Sequence, residues 1–136
     1  MSAAVYPRAI VISGPSGVGK SSIVNAILQT IPQARLSVST TTRAPRPGEA
    51  HGRDYYFASN QEFQDQVSQH QFLEWAQVYG QLYGTRRDHL EELLNGQHVV
   101  LLDVDSQGAQ QIREQCEGMV YILIAPPSME EQKRRL

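Results

Sequence analysis

Cysteine is almost absent from this chain: Cys116 is the only one, so no internal disulfide can form, and a reducing cytoplasm suits it. An excess of either charge is also missing. Twelve Lys and Arg stand against 14 Asp and Glu, for a net charge of −2. Nothing basic therefore advertises nucleic acid or an anionic membrane. No apolar run approaches the length of a membrane span, and the N-terminal residues lack the long apolar stretch of a signal peptide. Internal repeats and low-complexity segments are absent as well. What remains is ordinary for a soluble globular protein, with 40% hydrophobic and 19% charged residues in 136, enough for one domain with a real core.

Against that plain background one segment stands out. Gly14-Pro15-Ser16-Gly17-Val18-Gly19-Lys20-Ser21 fits G-x-x-x-x-G-K-[ST], the phosphate-binding P-loop. The β-branched run Ala9-Ile10-Val11-Ile12-Ser13 precedes it and reads as a buried strand. Ile23, Val24, Ile27, Leu28 and Ile31 follow at three- and four-residue spacing, which predicts a helix with one buried face. Glycines let backbone N–H groups curl around an anion, and the helix aims its positive end at the same spot. Lys20 is placed to reach the β- and γ-phosphates of a nucleotide, and Ser21 to ligate Mg²⁺.

Three further apolar runs predict buried parallel strands: Leu36–Val38, Val99–Val104 and Met119–Ile124. Helical patterns lie between them. Ser59-x-x-Glu62 is a capping box ahead of Phe63 and Val67. Thr85-x-x-Asp88 opens a helix carrying Leu90, Leu93 and Leu94, which Asn95-Gly96 stops. Alternating strands and helices argue a parallel α/β sheet. Residues 40–85 differ: prolines and glycines give way to short aromatic strand-like pieces, Tyr55–Phe57 and Phe72–Ala76. They read as a small mixed subdomain inserted into a core of residues 1–39 and 96–136. Beyond Pro126-Pro127, Ser128-x-x-Glu131 is a second capping box, so a helix is expected to begin near Met129. Leu136 falls only about two turns into it, and the chain is expected to be a C-terminal truncation.

Several side chains carry chemistry. Asp103 closes the strand at 99–102, where a carboxylate beside a P-loop holds Mg²⁺ or its water. Asp105 faces the same side if the strand still runs extended. Arg43 and Arg46, three apart in a proline-stiffened loop, make a preorganised fork for a phosphate dianion. Glu74 lies on an otherwise apolar strand and, pointed inward, needs a donor. A guanine ring supplies two, its N1–H and its exocyclic amine. A solvent-facing Glu74 is the plainer alternative.

These segments together resemble the guanylate kinase family. The match runs through Ser13–Ser22, Ser37–Glu49, Gly52–Phe57, Phe72–Ala76, Tyr83–Thr85, Leu102–Ala109 and Ile124–Ser128, in family order over nearly the whole chain. The resemblance implies a P-loop NTPase fold, a parallel sheet flanked by helices, with an inserted mixed α+β GMP-binding subdomain. It implies that Ser39, Arg43, Arg46, Tyr55 and Tyr83 hold the phosphate of GMP, and that Glu74, Thr85 and Asp105 read the guanine. Residues 14–21 would hold the ATP phosphates. Ser21 and Asp103 would hold Mg²⁺, and Lys20, Arg43 and Arg135 would serve phosphoryl transfer, Arg135 from the start of a mobile lid. The remainder of that lid and the closing elements of the family are expected to be missing. Thr40 stands where many members have His or Ser, and Gln81 where Asn is more usual. The partners implied are ATP and GMP, with no nucleic acid or membrane. A non-catalytic phosphopeptide-binding module of the same family is a rival reading. A P-loop kinase for another phosphorylated acceptor, such as a ribose bisphosphate, is a second.

Overall fold

The computed structural model describes residues 4–14 and 19–125. Pro15, Ser16, Gly17, Val18, Arg135 and the segment from Ser128 to Glu131 lie outside these residues. In chain order the elements are β1 Ala4–Val5, β2 Ala9–Ser13, α1 Lys20–Thr30, β3 Ala34–Leu36, β4 Thr40–Thr41, β5 Tyr56–Phe57, α2 Asn60–Ser68, β6 Phe72–Val78, β7 Gln81–Arg86, α3 Arg87–Asn95, β8 Val99–Asp103, α4 Ser106–Gln115, β9 Cys116–Glu117 and β10 Val120–Leu123.

The expected parallel sheet forms with the order β10-β2-β8-β3. Strand β2 is parallel to both neighbours, with Ile10 opposite Leu101 and Val120. Alternate residues leave opposite faces. Val11, Val100 and Leu102 join Leu90, Leu94, Ala109 and Ile112 of α3 and α4 in one core. Ile12 and Leu101 join Val24 of α1 in another, with Ile27 and Leu28 packed against it. The sheet is therefore covered on both faces, the arrangement a parallel sheet needs.

Four local expectations are corrected. The third strand is Ala34–Leu36, not 36–38, because Ala34 pairs with Val99 and lies buried. The chain keeps one more ladder bond, Ser37 N–H to the Leu101 carbonyl at 2.9 Å, and then departs. Strand β10 is parallel as expected but not buried: Val120, Ile122 and Leu123 are exposed. Among the described residues it is an outer strand with one neighbour. On α1 only Val24 is fully buried, and Ile23 and Ile31 are exposed. Ile23 sits one residue, about 100° of rotation, from Val24, and Ile31 is already the extended C-cap. Finally, Thr85 does not cap α3. Arg86 is the N-cap, without a side-chain cap bond, and its guanidinium binds Asp88 at 2.9 Å, so that carboxylate is taken.

Residues 40–86 carry a second sheet, β5-β4-β7-β6, in which β4 pairs parallel with β5 and antiparallel with β7. Its own core is Phe63, Phe72 and Leu82. Phe63 and Phe72 stack at 4.4 Å between centroids. Helix α2 enters through the expected Ser59–Glu62 capping box, with both reciprocal bonds at 3.1 Å. Strands β6 and β7 form a two-residue hairpin through Tyr79 and Gly80, both at positive φ, 50° and 78°. That is the backbone of a primed turn. Leu73 of β6 leaves this sheet to join the main core, tying the two together.

Candidate functional site

A cavity of about 370 Å³ opens where the two sheets meet, lined by Lys20, Ser39, Tyr55, Glu74, Ala76, Val78, Tyr83, Asp103, Val104 and Asp105. Seven expected site residues thus converge from six segments of chain. Lys20, Asp103 and Asp105 come from the main sheet and its connections. Tyr55, Glu74 and Tyr83 come from the second sheet, and Ser39 from the crossing between the two.

On the main-sheet side, Gly19 takes φ 86° and serves as the N-cap of α1. The turn delivers Lys20 at the first helical position. Its ammonium lies 3.1 Å from Asp103 Oδ1 and donates to the Val104 carbonyl at 3.0 Å. Asp103 is the last residue of β8, so strand and helix start are stapled across the loop. Ser21 follows in the first turn of α1, exposed. Strand β8 ends at Asp103, and Asp105, still extended in backbone, is the N-cap of α4, its Oδ1 accepting from Gly108 N–H at 2.8 Å. The cap satisfies an orphan N–H at the helix start and leaves the second oxygen uncommitted within that turn.

On the other side, Glu74 points inward and is 7% exposed, which removes the solvent-facing alternative. Its donor partner inside the protein is Thr85, whose Oγ1 donates to Glu74 Oε1 at 2.7 Å. Thr85 is 1% exposed and sits opposite Glu74 across the β6–β7 pair. Burial pushes the Glu74 carboxyl up to about 7, and the charge of Asp105 adds to this, against the Thr85 bond. A carboxylate at this depth is costly unless further donors reach it.

The two arginines of the proline loop are held differently. Arg43 makes a bidentate pair with Glu49, at 2.9 and 3.0 Å, and lies 5.1 Å from the Tyr55 ring centroid. Glu49 also accepts from Arg46 N–H at 2.8 Å. The Glu49 bonds hold the Arg43 guanidinium well above its ordinary range and Glu49 below the usual carboxylate range. Glu49 was not singled out from the sequence. Its signal is its spacing, six residues after Arg43 and three after Arg46, at the far end of the proline loop. The Arg46 side chain is exposed. Tyr55 and Tyr83 pack edge to face at 6.1 Å beside Arg43. The two unusual residues have local roles: Thr42 Oγ1 donates to Gln81 Oε1 at 3.3 Å, and Thr40 is buried in β4.

Helix α4 also escaped the sequence reading, although Ala109, Ile112 and Cys116 carry a helical spacing and all lie buried. It brings Gly108, Gln111 and Gln115 against β6.

Among the described residues no helix is long and apolar enough to cross a membrane. The sequence matches the family model described as guanylate kinase over residues 6–136. A guanylate kinase of Rubrobacter xylanophilus is 49% identical over 129 residues, 95% of this chain and 68% of that protein. One from Geobacter metallireducens is 51% identical over 126 residues, 93% of this chain and 62% of that protein. The crystal structure of guanylate kinase from Anaplasma phagocytophilum superposes with a TM-score of 0.71 at 40% identity, covering 99% of this chain and 66% of that one. The chain spans about two thirds of the length of these relatives, and with the family model matched from Tyr6 to Leu136 it belongs to the guanylate kinase family.

Proposed function

We propose that the protein transfers the γ-phosphoryl of ATP to GMP, giving ADP and GDP. The observation that carries this is the shared cavity: Lys20, Asp103 and Asp105 on the main-sheet wall, Glu74 with Tyr55 and Tyr83 on the other. Glu74 accepts the two donors of the guanine edge, and its buried, hydrogen-bonded setting favours a purine that presents N–H groups over one that does not. Asp105 and Thr85 complete that reading. Ser39, Arg43, Arg46, Tyr55 and Tyr83 hold the acceptor phosphate. The acceptor oxygen is already anionic, so no general base is required, and the residues position and neutralise.

Residues 14–21 take the ATP phosphates, with Lys20 exchanging its contact to Asp103 for the nucleotide. The donor set fits Mg²⁺: one carboxylate, Asp103, and one hydroxyl, Ser21, suit an ion that keeps waters and shares its shell with phosphates. When bound it neutralises charge on the transferring group. By its match to the family pattern, Arg135 would add a further cation. Residues 40–85 act as the acceptor-binding unit inserted into the core of 1–39 and 96–136. A scaffold that only bound phosphopeptides would have no use for Lys20 paired with Asp103. The single cysteine fits a cytoplasmic enzyme.

ADP release with ATP and GMP, compared with ATP and AMP, tests the reading. GMP-dependent release that falls strongly with AMP is expected, and release independent of the acceptor would overturn it.

A further inference from the structure

Among the described residues strand β6 is the outer strand of the second sheet, and one of its edges has no strand partner. An open edge normally invites pairing with another chain. Here two side chains of α4 close it. Gln111 Nε2 donates to the Trp75 carbonyl at 2.8 Å, and Trp75 N–H donates to Gln111 Oε1 at 3.1 Å. The primary amide thus makes both bonds that a neighbouring strand residue would make. One helical turn on, Gln115 Nε2 donates to the Leu73 carbonyl at 2.8 Å, while its Oε1 accepts from Arg87.

The residue between Leu73 and Trp75 is Glu74. The pairing with β7 slips between Phe72 and Glu74, so Leu73 has no partner in that ladder. The helix supplies the missing constraint. Its approach is close at Gly108: a Cβ there would stand 2.7 Å from Glu74 Oε2 and 3.2 Å from Glu74 Cδ. The same helix is capped by Asp105. Two carboxylates of one cavity therefore belong to different sheets, and α4 joins them.

We propose that Gln111 and Gln115 are positioning residues: by holding the backbone on either side of Glu74 to α4, they set the Glu74 carboxylate against Asp105 and so determine guanine specificity. Neither lines the cavity. This rests on the reading of Glu74 as the guanine acceptor.

Gln111→Met keeps the length and removes both amide bonds to Trp75. In the full chain it should raise the GMP KM about tenfold, the effect of two ordinary hydrogen bonds. The ATP KM and kcat should hold, and preference for GMP over AMP should fall. Gln115→Met removes the amide bond to the Leu73 carbonyl on the other side of Glu74, so it should give the same KM-only change and stands in if Gln111→Met folds poorly. In a Glu74→Gln background Gln111→Met should add almost nothing, since both act through one group. Additive effects, or equal losses for both substrates, would overturn the positioning role. If instead Glu74→Gln alone leaves GMP preference intact, the reading of Glu74 fails first, whatever Gln111 does.

Discussion

Lys20 and Glu74 face the same cavity, yet the chain holds them in opposite ways. Lys20 is placed by backbone: a strand end, a left-handed glycine and the first turn of a helix, all within contiguous residues. Its partner Asp103 is only part-buried, and both groups keep contact with water. Glu74 is placed by side chains drawn from distant segments, Thr85 across the hairpin and α4 behind it. It is nearly dry. Charge is thus cheap to hold on the first wall and expensive on the second. The first suits a site that binds any nucleoside triphosphate by its phosphates. The second suits a site that must tell one base from another, because an unmatched ligand there leaves a buried carboxylate unsatisfied.

The largest break in this comparison comes from Lys20→Met. If this wall works through charge on the transferring phosphate, kcat should drop on the order of a thousandfold, with little change in GMP binding. Stability should barely move, because a part-exposed ion pair of this kind contributes about 0–1 kcal/mol. Turnover and thermal melting measured together decide it. A variant that loses both would show that the Lys20–Asp103 pair is holding the fold.

Glu74→Gln attacks the other wall. Loss of the charged acceptor should weaken transition-state binding for GMP by about 2–4 kcal/mol and leave ATP untouched. The ratio of kcat/KM for GMP and AMP is the measurement, and an unchanged ratio would remove Glu74 as the reader.

Arg43 sharpens the comparison, because it is a cation held on the specific side. Arg43→Ala should raise the GMP KM about ten- to a hundredfold, the worth of a charge-assisted hydrogen bond. Lysine should rescue only part of that loss, since a point charge cannot reproduce the planar fork that already grips Glu49 at both nitrogens. An equal rise in the ATP KM would place Arg43 with Lys20 instead.

The two walls also differed in how much of them the amino-acid sequence disclosed. The P-loop and the strands beside it are local patterns, and β2, β8 and β10 took the expected parallel order. Asp103 could be located because it ends an apolar run. On the second wall, Glu74 was legible as an anomaly, a carboxylate in an apolar strand, but its partner was not, since Thr85 is eleven residues away across a turn. The Tyr79-Gly80 turn lacks the Asn-Gly or Asp-Gly signature that marks such hairpins. Thr85 was instead assigned to a cap by a spacing that Arg86 makes unusable. Glutamines gave no warning at all. Gln111 and Gln115 lie on α4, a helix the sequence pattern did not disclose, and only the fold shows that their amides stand in for a strand.

The smallest effect is a pH dependence, and it separates the walls without disturbing either. Burial holds Glu74 at about 7, above the usual 4.5. The folded protein therefore binds this proton more tightly than the unfolded chain does. Stability from Glu74 is fully present below about 4.5, declines as pH rises, and is gone above about 7. Glu49 has the opposite sign: Arg43 lowers it, so its contribution is present above the ordinary carboxylate range and lost on acidification. If Glu74 is the guanine acceptor, GMP binding needs it ionised to accept two donors. Between pH 6 and pH 8 the ionised fraction rises about tenfold, and GMP affinity should strengthen by about that factor and then level off. The phosphate of GMP titrates near pH 6 as well, so the slope must be compared with that of Glu74→Gln, which retains only the phosphate contribution. The same slope in both proteins would mean that Glu74 stays ionised across this range and that the dry wall is better solvated than its 7% exposure implies.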